Sequence, residues 1–175
     1  MAALDNTPVN KNFLNPLNFK FQLKRAPNVN FFIQKINIPS LALPSIEIPT
    51  LFVPLQIQQT HMVYGELQVT FKVDEDLQNY FEMHNWIRAL GFPSQFTEYA
   101  NIQTASPFTG ESLTSEISLT ILDALKNPNY EFVFHDAFPV SLSDVDFDTT
   151  YDDVDYVSAS VTFKYTLFDV KRIGA

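Results

Sequence analysis

Residues 64–86 have the sequence YGELQVTFKVDEDLQNYFEMHNW, and this stretch decides the predicted fold. From Glu66 to Val73, polar and apolar residues alternate strictly. Successive side chains of a strand point to opposite faces, so this pattern predicts a half-buried strand. Its buried face is predicted to consist of Leu67, Val69, Phe71 and Val73.

A helix is predicted directly after this strand, from about Glu75 to Leu90. Acidic residues at 74–76 stand in or just before its first turn, where the helix dipole favours negative charge. Gly91 followed by Pro93 is a typical helix end. Helical spacing predicts that the face turned to the core contains Leu77, Tyr80, Phe81, His84, Ile87 and Leu90.

Alternating patterns predict further strands on both sides of this unit. They cover residues 18–24, 30–38, 116–122, 130–138 and 158–168, with turns at 26–28 and 127–129. About seven strands and one helix, without an internal repeat, indicate the α+β class, mainly antiparallel β, as a sandwich or partial barrel. Residues 1–16, rich in Asn and Pro, are expected to form an N-terminal arm, and residues 17–175 a single domain.

Prolines recur every fifth residue between positions 39 and 54, within IPSLALPSIEIPTLFVPLQI. Proline cannot donate to a strand ladder and is confined to strand ends, sheet edges and extended loops. The apolar residues between the prolines fit two structures: a buried loop that crosses the sheet, or a hairpin arm that packs on a neighbouring subunit. In the second case the predicted interface residues are Leu41, Leu43, Pro44, Ile46, Ile48, Leu51, Phe52 and Val53.

The composition favours an assembling β protein. Hydrophobic residues make up 46% of the chain and charged residues only 18%, with 17 Phe and 7 Tyr. Such a chain is too apolar to be disordered, and its polar surface is small for a monomer. The absence of cysteine excludes disulfides and thiolate metal sites. No signal peptide or apolar membrane-spanning run is recognised, so we expect synthesis in a cytoplasm and no membrane partner.

The charge distribution argues against a protein that grips nucleic acid. The net charge is −9, and residues 65–175 carry six Lys and Arg against eighteen Asp and Glu. A nucleic-acid binder needs clustered basic residues to neutralise phosphates. The densest basic group here is only Lys20, Lys24 and Arg25.

No motif predicts an enzyme or a cofactor site. A nucleophile elbow, a Gly-rich phosphate loop and paired metal-binding histidines are all missing from the sequence. Five aspartates match positions 1, 3, 5, 9 and 12 of a calcium loop, but Thr149 stands where that loop needs Gly, and strands flank it. A solvated acidic hairpin is therefore favoured over a calcium site for Asp144, Asp146, Asp148, Asp152 and Asp155.

The order of these elements resembles the tail tube family of contractile phages. In residues 64–86, a strand leads through an acidic turn into a helix with an aromatic residue and a late Trp, as in that family. A strand near residues 115–123, a strand ending at Phe138–Pro139, an acidic hairpin and a strand over 157–168 follow in the same order. Ile38–Pro39 to Ile48–Pro49 resembles the family's long early hairpin.

The resemblance implies a structural virion protein. Subunits of this family form stacked hexameric rings whose strands join into one barrel, with a contractile sheath outside and DNA passing through the lumen. Sheath and baseplate or neck proteins are then the expected partners. Negative walls repel phosphates, so the candidates for lumen-facing acidic residues are Asp144, Asp146 and Asp148.

Three alternatives to a tube subunit stay open at this point. Two are structural: a baseplate protein that initiates the tube, or a ring that terminates the tail. The third, from another class, is a carbohydrate- or peptide-binding β-sandwich that uses aromatic loop residues such as Tyr99, Phe108 and Tyr151.

Overall fold

The computed structural model describes residues 11–91, 95–97, 99–100, 113–147, 150 and 156–173. Within these ranges the chain forms a series of antiparallel strands and the helices α1 (Pro27–Phe31) and α2 (Gln78–Gly91), and residues 96–97 and 99–100 are also helical. The strands are β1 (Phe19–Leu23), β2 (Ile33–Ile36), β3 (Leu41–Ala42), β4 (Ser45–Ile48), β5 (Leu55–Gln58), β6 (Val63–Tyr64), β7 (Leu67–Lys72), β8 (Ser115–Leu122), β9 (Pro128–Leu142), β10 (Ser158–Lys164) and β11 (Leu167–Arg172).

Seven of the strands form one sheet in the order β1-β8-β9-β10-β7-β2, with β11 also paired to β9. Strands β10 and β11 follow each other along the same edge of β9, because Lys164 lies opposite Phe138 and Leu167 opposite His135 in one register. The predicted strand over 158–168 is therefore two strands with a break at residues 165–166.

A bulge divides this sheet into two halves. Ser115 pairs with Ala137 but Ile117 pairs with Phe134, so β9 has one extra residue at this point. Asp136 occupies it with a φ of 54°, in the left-handed region that bulges use. We call β1, β8, β11 and residues 128–137 of β9 the first half-sheet, and β2, β7, β10 and residues 138–142 of β9 the second half-sheet.

Both half-sheets contribute their apolar faces to one core. Phe134 of the first and Phe163 of the second lie in the same buried cluster, and α2 adds Met83 and Trp86. The Trp86 ring lies 6.1 Å from that of Phe163, and its Nε1 donates to the carbonyl of Leu113 at 3.0 Å. The predicted fold class is confirmed as a mainly antiparallel β structure with one main helix, in which the sheet stays open rather than closing into a barrel.

Helix α2 begins later than predicted and buries a different face. Leu77 has a φ of 56°, which lies outside the helical range, so the first helical turn begins after this residue. The side chain of Asn79 then accepts from the amide of Asp74 at 3.2 Å and donates to the carbonyl of Lys72 at 2.8 Å. These bonds turn the side of α2 that carries Asn79, Met83, Trp86 and Ala89 toward the core. Phe81 and His84, predicted to be buried, are exposed.

Two loops also differ from the prediction. The expected turn at 26–28 is the start of α1, since Pro27 occupies a first-turn position where its fixed φ suits a helix. The expected strand 30–38 is consequently reduced to β2. The turn between β8 and β9 lies before Pro128, where the carboxylate of Asp123 accepts from the amides of Leu125 and Asn127.

Among the described residues, no helix has the length and apolar character needed to cross a membrane.

Candidate assembly interface

The proline-rich segment forms a hairpin arm outside the sheet. Strands β4 and β5 pair along the arm, and β3 and β6 pair at its base. All four prolines lie between strands, where no ladder donor is required. Of the two structures that the sequence allowed, the chain adopts the hairpin and not a loop across the sheet.

One face of this arm is apolar and the other is polar. Ile46 lies opposite Ile57, and Ile48 opposite Leu55, so these four side chains share one face. The other face carries Ser45, Glu47, Gln56 and Gln58, with a hydrogen bond of 2.9 Å from Gln56 to the Glu47 carboxylate. Both faces are exposed. A solitary two-stranded hairpin is marginal in water, so we expect the apolar face to be covered by another molecule.

The tip of the arm is the most exposed apolar part of the hairpin. Leu51 and Phe52 have 89% and 91% of their surface exposed, and Val53 is exposed as well. The other predicted interface residues, Leu41, Leu43, Ile46 and Ile48, are also exposed, and Pro44 is half-buried. The structure therefore leaves these side chains free for an interface, which remains a prediction.

The sheet has further unsatisfied strand edges. Within the described ranges, β1 pairs only with β8, β11 only with β9, and β2 only with β7. An exposed edge offers a row of backbone donors and acceptors to another chain. β1 and β11 are the two outer strands of the first half-sheet, which therefore has an open edge on each side.

A series of contacts between charged side chains crosses the solvent face of the first half-sheet. Lys24 Nζ lies 3.2 Å from Glu116 Oε2, and the other Glu116 oxygen lies 3.5 Å from Nδ1 of His135. On its opposite side, His135 Nε2 lies 3.1 Å from Asp169. The hydrogen bond from Lys24, with a smaller contribution from His135, lowers the pKa of the Glu116 carboxyl. The contacts link all four strands, and sequence reasoning missed them because they join residues far apart in the chain.

The predicted acidic lumen residues lie elsewhere. Asp144 and Asp146 are exposed and follow the C-terminal end of β9, in the second half-sheet, and Asp148 is outside the described residues. The calcium hypothesis involves Asp152 and Asp155, which are also outside them. In the part of the chain that the structure describes, no group of three or more His, Cys, Asp and Glu residues could hold a metal ion.

The remaining candidates do not form a site in the described residues. His61 contacts only its neighbour Thr60 in the hydrogen bonds seen here, and His84 stacks on Tyr80 with ring centroids 6.5 Å apart. Of the aromatics considered for a carbohydrate- or peptide-binding module, Tyr99 is half-buried beside Phe96. Phe108 and Tyr151 lie outside the described residues.

Comparison with known proteins identifies the family. The family model for phage tail tube proteins matches residues 5–171, which is nearly the whole chain. The chain belongs to the phage tail tube protein family. The resemblance found around residues 64–86 is thereby confirmed.

One curated relative and two solved structures illustrate what the chain is similar to. The chain is 27% identical over 170 residues to the tail tube terminator protein of Enterobacteria phage T4, covering 93% of this chain and 92% of that protein. Its fold is similar to that of the tube-terminating cap of the anti-feeding prophage, with a TM-score of 0.62, 11% identity and coverage of 98% and 99%. Its fold is also similar to that of a chain in the sheath-tube complex of an extracellular contractile injection system (PVC) in the extended state. The TM-score is 0.60 and the identity 10%, and the match covers 93% of this chain and 94% of that chain. The T4 protein and the anti-feeding prophage cap both terminate tubes in their own assemblies.

Proposed function

We propose that this chain is the subunit of a ring that terminates a phage tail tube. The terminal position is supported by the T4 terminator, which aligns with almost the full length of both chains. Ring formation is supported by one feature of the structure, the open strand edge on each side of the first half-sheet. The role is structural and requires no catalytic group.

The two open edges are complementary in direction. In the first half-sheet each strand is antiparallel to the next, so β1 and β11 run in opposite directions. A rotation about the ring axis keeps the direction of every strand, so β11 of one copy meets β1 of the next as an antiparallel partner. Pairing at this joint satisfies both edges and continues the alternation around the ring.

The dimensions of such a ring suit a channel for DNA. The resemblance to tube proteins suggests six copies, and four strands from each give a barrel of about 24 strands. At about 4.8 Å between strands tilted by about 35–45°, the circumference is roughly 140–160 Å and the diameter between backbones about 45–50 Å. That leaves room for a DNA duplex after side chains are subtracted. The ring then belongs to the virion, with the tube on one face and sheath or neck proteins around it.

The arm provides a second contact between copies. Its apolar face and its tip are exposed in the single chain. Burying each Leu, Ile or Phe contributes about 1.5–3 kcal/mol, so a few such side chains stabilise a joint between neighbouring subunits substantially.

Negative-stain electron microscopy of the purified protein tests the proposal. We expect single rings that do not stack, because a terminator ends the tube. Long tubes would instead identify a tube-body subunit, the second candidate, which the similarity to the sheath-tube complex favours. A monomer that persists at high concentration in light scattering contradicts both.

A further inference from the structure

The solvent face of the first half-sheet carries nearly balanced charges. Asp136, exposed in the bulge between the buried residues Phe134 and Ala137, places one carboxylate on this face. Register places six further charged side chains there, three lysines and three carboxylates, together with His135. They are Lys20, Lys24, Lys171, Glu116, Glu131 and Asp169. The chain as a whole carries a net charge of −9, so most of its acidic excess lies outside this face.

The opposite charges on this face are neighbours. Lys24, Glu116, His135 and Asp169 form the continuous series of contacts across the four strands. Lys171 lies directly opposite Glu131 on the adjacent strand, a position in which opposite charges attract. Thr120 separates Glu131 from Lys20 on the other side.

The pairing of lysines with carboxylates weakens the interaction of this face with a polyanion such as DNA. Free lysines bind the phosphate backbone by releasing its counterions, and free carboxylates repel it. A lysine that is already opposed by a carboxylate has less to gain from a phosphate. With four carboxylates against three lysines, the face carries little net charge to attract or repel DNA.

We propose that this face lines the channel and meets the phosphate backbone of duplex DNA as a charge-compensated surface that lets the duplex pass without retaining it. The proposal rests on the ring proposed above. It differs from the sequence prediction, in which acidic residues near Asp144 repel the DNA. Those residues follow the end of β9, outside the face of the first half-sheet.

Two double variants with the same charge change separate these possibilities. Glu116→Gln with Glu131→Gln removes two negative charges from the face, and Asp144→Asn with Asp146→Asn removes two from the acidic segment. Both pairs are at exposed or half-buried positions, so their folding is checked by thermal melting. Ring formation of each protein is measured first by light scattering.

Binding is then measured by fluorescence anisotropy with a short labelled DNA duplex at pH 8 and about 50 mM salt. We expect no retention by the unchanged rings or by the Asp144 and Asp146 variant, and at least about tenfold tighter binding by the Glu116 and Glu131 variant, lost again near 200 mM salt. Three results would overturn the proposal of a charge-compensated face: equal binding by both variants, binding by the Asp144 and Asp146 variant alone, or binding by neither variant. Absence of rings in the unchanged protein overturns the proposed function instead.

Discussion

Gly65 fixes the position at which the arm leaves the sheet. A Cβ at this residue would lie 2.6 Å from Oγ of Ser40 and 3.0 Å from its amide nitrogen, so only glycine fits without displacing the facing backbone. Its own amide donates to the carbonyl of Ser40 at 2.8 Å, and its carbonyl accepts from the hydroxyl of Tyr165 at 2.9 Å. The direction of the arm is therefore set by a few contacts at its base.

The hydroxyl of Tyr165 provides a test of this base. Replacing Tyr165 by Phe removes the bond to Gly65, and we expect a loss of about 0.5–1.5 kcal/mol in the free energy of unfolding at pH 7. Chemical denaturation measures this change. Tyr130→Phe, at an exposed strand position, serves as the control and should have little effect.

The same residue predicts a pH dependence. Burial, with a smaller contribution from Tyr64, raises the pKa of Tyr165 to about 12, above the ordinary value of 10.0. The phenol therefore ionises at a lower pH in the unfolded chain than in the folded chain. The stability that the folded chain gains from the neutral phenol is complete below pH 10 and is lost as the pH rises toward 12. The Tyr165→Phe variant should lose less stability than the unchanged protein between pH 9 and pH 11, and an equal loss contradicts this assignment.

At the scale of elements, the hairpin arm depends on what covers its apolar face. Ile46 and Ile57 lie side by side on that face, and neither is buried in the single chain. Their replacement should therefore affect assembly without affecting the fold of one subunit.

A matched pair of variants tests the arm. Ile46→Ser with Ile57→Ser should prevent ring formation in light scattering, since each side chain contributes about 1.5–3 kcal/mol of burial, or roughly 10- to 150-fold in affinity. The melting temperature of the monomer should stay close to that of the unchanged protein. Gln56→Ser with Gln58→Ser, on the opposite face, should leave the rings intact. Rings that tolerate the isoleucine changes would show that this face is not in the joint.

Strands with strict alternation were predictable from the sequence, and irregular elements were not. β1, β7 and β8 lie within a residue or two of their predicted bounds because hydrophobic burial on one face specifies them. The five-residue α1 is too short to show a period, and the bulge at Asp136 leaves no clear pattern. The predicted face of α2 was right only in part. Tyr80 and Leu90 pack against the core, but Phe81 and His84 are exposed, because hydrogen bonds of the buried Asn79 orient the helix.

The assembly surfaces were predictable only in part. The arm was one of two structures that the sequence allowed, because prolines between apolar residues exclude a central strand but not a buried loop. The series from Lys24 to Asp169 was not, because β1 and β8 are about a hundred residues apart and their partnership is a property of the fold.

For the whole molecule, net charge opposes assembly. Each subunit carries a net charge of −9, so copies brought into a ring repel one another at long range. The joint proposed here relies on backbone pairing and apolar burial, which salt does not weaken as it weakens ion pairs.

The ring fraction should therefore rise with ionic strength. Between about 20 mM and 300 mM salt, the Debye length falls from roughly 20 Å to 6 Å and the repulsion between subunits is largely screened. Sedimentation velocity at fixed protein concentration measures the proportion of rings. A ring fraction that falls with added salt would instead indicate a joint held by complementary charges.

The order of the strands along the chain also bears on when a subunit becomes competent to join a ring. β1 is the first strand of the sheet, yet its partner β8 follows about a hundred residues later, with Phe19 opposite Ile121. β11 is the last strand of the sheet and lies on the other open edge. Contacts this distant in sequence form slowly, since a long loop must close first. In the proposed ring, neither joining edge is formed during synthesis until most of the chain has left the ribosome, so we expect that an incomplete chain cannot enter a growing ring and block it.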